Sequence, residues 1–145
     1  MSSPRDAFRA LLKINGYSIT KARLSVFNAL LGQEPLDMHT LVAKTGQVDR
    51  ASVYRAVELF ERLGMVQRLH AGWKYKLELT DKFAEHHHHL SCMRCGKTIA
   101  MNERELEALI AKLAAAHQFT PTAHQIEIQG VCADCGRGAA ADSGE

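Results

Sequence analysis

Four cysteines give the clearest chemical signal in the sequence. They form two Cys-x-x-Cys pairs, Cys92/Cys95 and Cys132/Cys135, and a glycine directly follows each pair. Four thiolates at this spacing can surround a Zn²⁺ ion tetrahedrally, and in a reducing compartment such pairs favour a metal over disulfides. The 36 residues between the pairs indicate a folded segment that the metal closes. The alternatives are a redox pair or four free structural cysteines.

A run of four histidines leads directly into the first cysteine pair. In an extended strand, successive side chains point to opposite faces. Alternation would place the side chains in two sets: His86, His88, Leu90 and Cys92 on one face, and His87, His89 and Ser91 on the other. One strand therefore offers two separate histidine pairs as metal ligands. The alternative is a purification tag or a loop, although the run is internal and shorter than usual tags.

Apolar residues at helical spacing predict helices in the first part of the chain, which is 145 residues long in total. Thr20 and Asp37 are candidates for helix-capping residues, because their side-chain oxygens can accept from the first backbone amides. A further helix is expected to start after Asp49. The helix that begins at Arg50 is expected to run to Gly64.

From Val66 to Leu79 the apolar period changes to two, which predicts a pair of strands that turn at Ala71-Gly72. One face would carry Trp73, Tyr75, Leu77 and Leu79, and the other would carry Lys74, Lys76 and Glu78. Helices followed by a β-hairpin wing predict a winged helix-turn-helix domain.

DNA contact requires hydrogen-bond donors at the start of the helix before the wing, because those residues reach base edges in the major groove. The candidate donors are Arg50, Ser52, Tyr54 and Arg55, and the candidate phosphate contacts are Lys21, Arg23, Lys74 and Lys76. The net charge is +2, and basic residues outnumber acidic ones only before Leu79. The alternative for any single residue is a buried Tyr54 or a solvated arginine.

The part after the histidine run predicts a small α/β unit. A strand over Lys97–Met101 is followed by a helix capped by Asn102 with Glu105 three residues later. The apolar stripe of that helix comprises Leu106, Leu109, Ile110 and Leu113. A last strand from Thr122 to Val131 would point His124 to the same face as apolar residues. The fold class is therefore α+β, with a polar tail over 137–145 expected to be disordered.

Together these motifs resemble the Fur (ferric uptake regulator) family of metal-dependent transcriptional repressors, from about Phe8 to Cys135. The similarity rests on the following segments: Ile19-Thr20 with Arg23, Ala51–Val57, the histidine run, and Gly130-Val131 before the second cysteine pair. The resemblance implies a DNA-binding domain over 1–79, a hinge over 80–85 and a dimerisation domain over 86–136. It further implies a cytoplasmic homodimer that binds a palindromic, AT-rich operator.

The resemblance also implies three metal sites. The four cysteines would hold structural Zn²⁺. The second site would use His86, His88, Glu107 and His124, and a sensory hinge site would use Glu78, His87 and His89. Fe²⁺ is the first candidate for the regulatory metal, and Mn²⁺ or Zn²⁺ are the others. A zinc-responsive and a peroxide-sensing repressor are the alternatives within the family.

The chain departs from the family pattern at positions that affect these sites. No histidine occurs in the segment Gln33–Leu36, where many members carry a sensory ligand, and Ala100 stands where many carry a carboxylate. About two extra residues separate Glu78 from His86. The hinge site is therefore either incomplete or recruits His39 or His70.

Two other classes of function compete with a repressor. A zinc hydrolase would need a general base such as Glu103, Glu105 or Glu107 beside the metal, but no His-Glu-x-x-His pattern is present. A metal-buffering protein would have no use for the donors from Arg50 to Arg55. No apolar run approaches the roughly 20 residues that span a bilayer, so we expect no membrane contact. For a repressor whose ligands are DNA and metal ions, we expect no small-molecule substrate.

Overall fold

The computed structural model describes residues 2–142, and only the backbone of 139–142, as two compact units. The first unit comprises the chain up to His70 together with Lys74–Glu85, and the second comprises Ala71–Trp73 and the chain from His86 onward. Within residues 2–142, no helix has the length and apolar character that a membrane crossing requires.

Four helices form the bulk of the first unit. Their bounds are Pro4–Ile14 (α1), Lys21–Leu30 (α2), Met38–Lys44 (α3) and Arg50–Arg62 (α4). Each helix begins after a side chain that accepts from a backbone amide of the first turn, and these caps are Ser3, Thr20, Asp37 and Asp49. Such caps satisfy amides that have no partner within the helix. The end of α4 is followed by Gly64, whose φ of +65° suits a left-handed helix terminus.

Aromatic side chains from different helices form the centre of this unit. Phe8, Phe27 and Phe60 are fully buried. Phe8 stacks on Phe27 with ring centroids 4.3 Å apart and meets Phe60 edge-on at 5.6 Å. Phe83 contacts Phe27 edge-on at 5.1 Å. The rings therefore tie α1, α2, α4 and the segment after the hairpin into one core.

The hairpin follows α4 and consists of Val66–Ala71 (β1) and Lys74–Leu79 (β2). A bridge between Leu36 and Leu77 joins it to the helices. The predicted turn is shifted by one residue, because Gly72 adopts a φ of +69° and Trp73 completes the turn. Trp73 therefore lies in the turn and not in a strand, and its side chain is 88% exposed. Glu78, on the face that the pattern gives to charged residues, is 4% exposed and accepts a hydrogen bond from the neighbouring strand.

The second unit is a three-stranded sheet with two helices. Its elements are His88–Cys92 (β3), Thr98–Met101 (β4), Arg104–Ala116 (α5), Glu127–Gly130 (β5) and Ala133–Asp142 (α6). The strand that carries the histidines is central, antiparallel to β4 and parallel to β5. The structure contains helices and separate small sheets, which confirms the predicted α+β fold class.

Three predicted boundaries in this unit are wrong. Helix α5 begins after Glu103 rather than after Asn102, and no side chain caps it. Strand β5 begins at Glu127, so that His124 lies outside the strand. The tail is helical through Asp142, since α6 continues across an alanine-rich segment that favours helix, with Arg137 paired to Asp134. The remainder of the predicted disordered tail, 143–145, lies outside the described residues.

The apolar stripe of α5 is uncovered within the chain. None of the residues of α5 is buried, and Leu109 and Leu113 are about half exposed, at 51% and 54%. Ile99 and Ile128 of the sheet are exposed to a similar degree. The second unit therefore presents apolar surface on both its helix and its sheet.

We expect Phe27→Ala to destabilise the first unit by about 3–5 kcal/mol, because the substitution removes a ring packed between two others. Urea unfolding followed by circular dichroism measures this loss. The control is Ile14→Ala, at a position 81% exposed, which should change the free energy of unfolding by less than about 0.5 kcal/mol. Equal effects of the two substitutions would contradict the assignment of the core.

Candidate metal centres and DNA-reading surface

The four cysteines meet in the second unit. Their Sγ atoms all lie within 4.8 Å of one another, and those of Cys95 and Cys132 are 3.7 Å apart. In a tetrahedral zinc site with Zn–S bonds of about 2.3 Å, neighbouring sulfurs are separated by about 3.8 Å. The arrangement and the donor chemistry therefore fit a zinc ion.

Backbone geometry positions the two cysteine pairs. The amide of Gly96 donates to the carbonyl oxygen of Cys92 at 3.0 Å, which closes the first turn, and Gly136 donates to Cys132 in the same way at 2.9 Å. The amide of Cys132 donates to Sγ of Cys92 at 3.3 Å and thereby ties the two pairs together.

The same contacts set the protonation of the thiols. The Cys132 amide stabilises the Cys92 thiolate and lowers its pKa to about 6. Hydrogen bonds with the thiols of Cys132 and then Cys95 raise the pKa of Cys135 to about 12. Four thiolates this close repel one another, so a bound cation is what would allow all four to be deprotonated together.

A second cluster brings together His86, His88, Glu107 and His124. Nε2 of His88 lies 2.7 Å from Oε1 of Glu107, and Nε2 of His124 lies 3.1 Å from Oε2 of the same carboxylate. Nε2 of His86 lies 2.9 Å from Nε2 of His124. Three imidazole nitrogens and one carboxylate thus converge on a single point, which fits a divalent metal with nitrogen and oxygen ligands.

Glu107 is the anionic member of this cluster. Hydrogen bonds from His88 and then His124 lower the pKa of its carboxyl group, so that it stays ionised at neutral pH. Glu107 and His124 also line an open cleft of about 270 Å³ beside α5. His88, which comes from the central strand and is 1% exposed, is the buried member of the cluster, whereas Glu107 and His124 face solvent.

The three predicted hinge ligands are divided between the two units. His87 and His89 belong to the second unit, where their ring centroids lie 4.6 Å apart on the face opposite His86 and His88. Glu78 belongs to the first unit, where its Oε1 accepts from Nε2 of Gln67 at 2.6 Å. The alternation predicted for the histidine run is thus present in the strand.

The candidate DNA donors lie on the first turns of α4. Arg50 and Arg55 are exposed, and Tyr54 is 36% exposed, which excludes the alternative of a core tyrosine. The guanidinium of Arg50 lies over the Tyr54 ring and donates to its hydroxyl at 3.2 Å. Arg55 donates to Oγ of Ser52 at 2.9 Å.

Several of the residues that are predicted to contact DNA line a groove between α2 and α4. Arg23, Ser52 and Arg55 line this groove, which has a volume of about 290 Å³. Lys21 and Lys74 are exposed and Lys76 is half-buried. Two arginines thus line the same depression, and guanidinium groups of this kind can bind a phosphate.

Two contacts were not predicted from the sequence. Asp49 accepts from both the amide and the hydroxyl of Ser52, at 2.9 and 2.6 Å, and so orients a predicted donor as well as capping α4. Gln67 donates to Glu78 across the hairpin. The position of Asp49 directly before α4 is a signal from which the first contact could have been predicted. The second contact depends on the register of the two strands, which the sequence alone does not give.

A family model, related sequences and solved structures all point to the same protein family. Residues 14–129 match the model of the "Ferric uptake regulator family". The "Ferric uptake regulation protein" of Escherichia coli strain K12 is 33% identical over 132 residues, which cover 85% of this chain and 86% of that protein. Among solved structures, the Vibrio cholerae ferric uptake regulator has 28% identity and a TM-score of 0.69, over 86% of this chain and 98% of that one. A zinc-bound manganese uptake regulator also has 28% identity, with a TM-score of 0.60, over 86% and 97%.

The cysteine cluster leads to a test by metal content. We expect about one tightly held zinc per chain after dialysis against a mild chelator, and we expect Cys95→Ser to lose it because one of four ligands is removed. Elemental analysis with a thiol count measures both. Lys97→Ala, an exposed position in the same turn, is the matched control and should retain the zinc. Full zinc retention by Cys95→Ser would contradict the four-cysteine site.

Proposed function

This chain belongs to the ferric uptake regulator family of metal-responsive regulators, and from that premise we propose that it is a repressor that binds a palindromic, AT-rich operator as a dimer when a divalent metal is bound. The observation that carries the proposal is the exposed row of donors on the first turns of α4, in a chain whose other unit holds two compact metal-ligand clusters. A regulator needs both features, whereas a metal buffer needs only the clusters.

Reading of DNA is assigned to the first unit. In a winged helix-turn-helix, the N-terminal residues of the recognition helix contact base edges, and residues on neighbouring elements contact phosphates. Arg50, Ser52, Tyr54 and Arg55 would supply the first kind of contact. Lys21, Arg23, Lys74 and Lys76 would supply the second. The Arg50–Tyr54 stack supports this assignment, because it holds a flexible guanidinium in an extended, exposed position.

The proposed metal ligands fall into three sets, one for each site. Cys92, Cys95, Cys132 and Cys135 would hold zinc and keep the second unit folded. His86, His88, Glu107 and His124 would hold a second ion. Glu78, His87 and His89 would form the sensory set, and His39 and His70 are candidates to complete it. Because Glu78 belongs to one unit and the histidines to the other, ligation would restrain the orientation of the DNA-reading helix.

Dimerisation is assigned to the second unit. The half-exposed apolar side chains of α5 and of the sheet are unusual for a chain that acts alone, because exposed apolar patches mark interaction sites. Two copies related by a two-fold axis would present two recognition helices to successive major grooves, about 34 Å apart. A palindromic operator follows from that symmetry.

Fe²⁺ is the first candidate for the regulatory metal, and a zinc-responsive repressor is the second. The observation that favours zinc is the donor set proposed for sensing, two imidazoles and one carboxylate, because such nitrogen and oxygen ligands generally bind Zn²⁺ more tightly than Fe²⁺. Resemblance to a zinc-bound manganese uptake regulator is compatible with either Zn²⁺ or Mn²⁺. For a peroxide sensor, hydrogen peroxide would release DNA from the iron-loaded protein only.

A hydrolase is disfavoured by the surroundings of Glu107. A general base must be able to accept a proton from an attacking water, whereas both oxygens of this carboxylate already lie near imidazole nitrogens. We therefore assign the chain no catalytic residues.

The DNA-reading surface is tested by Arg55→Ala. We expect binding to a duplex that the protein has selected from a random palindromic library to weaken by about 1–3 kcal/mol, and the preference at one base pair of each half-site to relax, because one base contact is lost. Fluorescence anisotropy with the selected duplex and with duplexes changed at single base pairs measures both. Arg62→Ala, at the other end of α4, is the matched control. Identical curves for Arg55→Ala and the unmodified protein would contradict the assignment.

The regulatory metal is tested by anaerobic titration of operator binding. Protein that retains only its cysteine-bound zinc should bind weakly, and a sensed metal should raise the affinity by about 5- to 150-fold. Fe²⁺, with Mn²⁺ as an air-stable substitute, is expected to act, and a response to Zn²⁺ alone would support the zinc-responsive alternative. No response to any of the three ions would overturn the proposal.

A further inference from the structure

The contact between Gln67 and Glu78 is not used by any assignment made above. Nε2 of Gln67 lies 2.6 Å from Oε1 of Glu78, and the two residues occupy neighbouring strands of the hairpin. An ionised carboxylate can only accept hydrogen bonds, so the amide nitrogen of Gln67 is the donor. Gln67 is half-buried and Glu78 is buried.

A neutral donor affects a buried carboxylate differently from a cation. Burial of a carboxylate is costly unless it is hydrogen-bonded, and the amide meets part of that need. Because the amide carries no net charge, this hydrogen bond does not itself offset the negative charge of an ionised carboxylate. The hydrogen bond also restricts the rotation of the Glu78 side chain, which lowers the entropy that ligation would cost.

A second carboxylate next to the same hairpin shows the contrast. Glu61 is paired with Arg68 of β1, whose Nε and Nη2 contact the two carboxylate oxygens. The guanidinium neutralises that carboxylate and occupies both of its oxygens. Adjacent positions of one strand therefore provide a cationic partner for Glu61 and a neutral partner for Glu78.

We propose that Gln67 is a positioning residue for the hinge metal, and that its hydrogen bond holds the Glu78 side chain in one orientation for ligation of a divalent cation. The proposal rests on the assignment of Glu78 to the sensory set in the proposed function. Partners that orient a metal ligand typically change metal affinity by about 10- to 100-fold when they are removed. Gln67 would thus tune the metal concentration at which the protein responds.

The test is a double-mutant cycle between Gln67→Met and Glu78→Gln, with Co²⁺ as the probe. Methionine has a similar length but no donor. All proteins would carry Glu107→Ala, which removes a ligand of the second cluster so that hinge binding is observed alone. Visible absorption of bound Co²⁺ reports the ligand set, and competition with a chelating dye gives the affinity. Arg68→Met is the matched control on the same strand, since it removes the partner of Glu61.

We expect Gln67→Met to weaken Co²⁺ binding about 10- to 100-fold, Arg68→Met to change it less than twofold, and Gln67→Met to have no further effect once Glu78→Gln is present. The inference is overturned if Gln67→Met binds like the unmodified protein while Glu78→Gln loses the ion. It is also overturned if the loss persists in the Glu78→Gln background, which would indicate a purely structural role. If Glu78→Gln itself leaves Co²⁺ binding unchanged, the hinge assignment in the proposed function fails, and the role of Gln67 fails with it.

Discussion

The alternation of side chains along one short extended segment is the constraint on which both histidine clusters depend. Residues two apart share a face, so the rings of His86 and His88 meet at 4.7 Å, and those of His87 and His89 meet at 4.6 Å on the other face. A helix would have spread the same four residues around its circumference. Pairing of this strand with β4 and β5 fixes the alternation at His88 and His89, and the ring contacts extend it to His86 and His87 just before the strand.

The two units are stabilised in different ways. Stacked aromatic rings and capped helices stabilise the first unit without any ligand. The second unit has a sheet of three short strands and a helix, α5, with none of its residues buried. A small unit with so little covered apolar surface needs additional restraints, and in our account these are zinc at the cysteines and a second copy of the chain.

Local patterns predicted most of the first unit, because each helix there carries its own capping residue and apolar stripe. Thr20 and Asp37 cap their helices as predicted, and α4 begins directly after Asp49 as expected. The predicted hairpin turn is one residue too early, because Gly72 supplies the left-handed residue and Trp73 completes the turn. The hydrogen bond between Gln67 and Glu78 could not be predicted, because it depends on the register of two strands. Spacing predicted the cysteine cluster, whereas the convergence of Glu107 and His124 on the histidine strand follows from tertiary packing and came only from family resemblance.

The most direct test of the account compares His87→Ala with His88→Ala in metal-dependent operator binding. Each protein would be loaded with zinc at its cysteines and then titrated with Mn²⁺ or Zn²⁺ while operator anisotropy and metal stoichiometry are recorded together. The account predicts that each substitution removes one exchangeable ion from a different site, and that His87→Ala abolishes the rise in operator affinity. If both substitutions remove the same ion, or if His87→Ala leaves the metal response intact, the two faces of this strand do not serve separate sites.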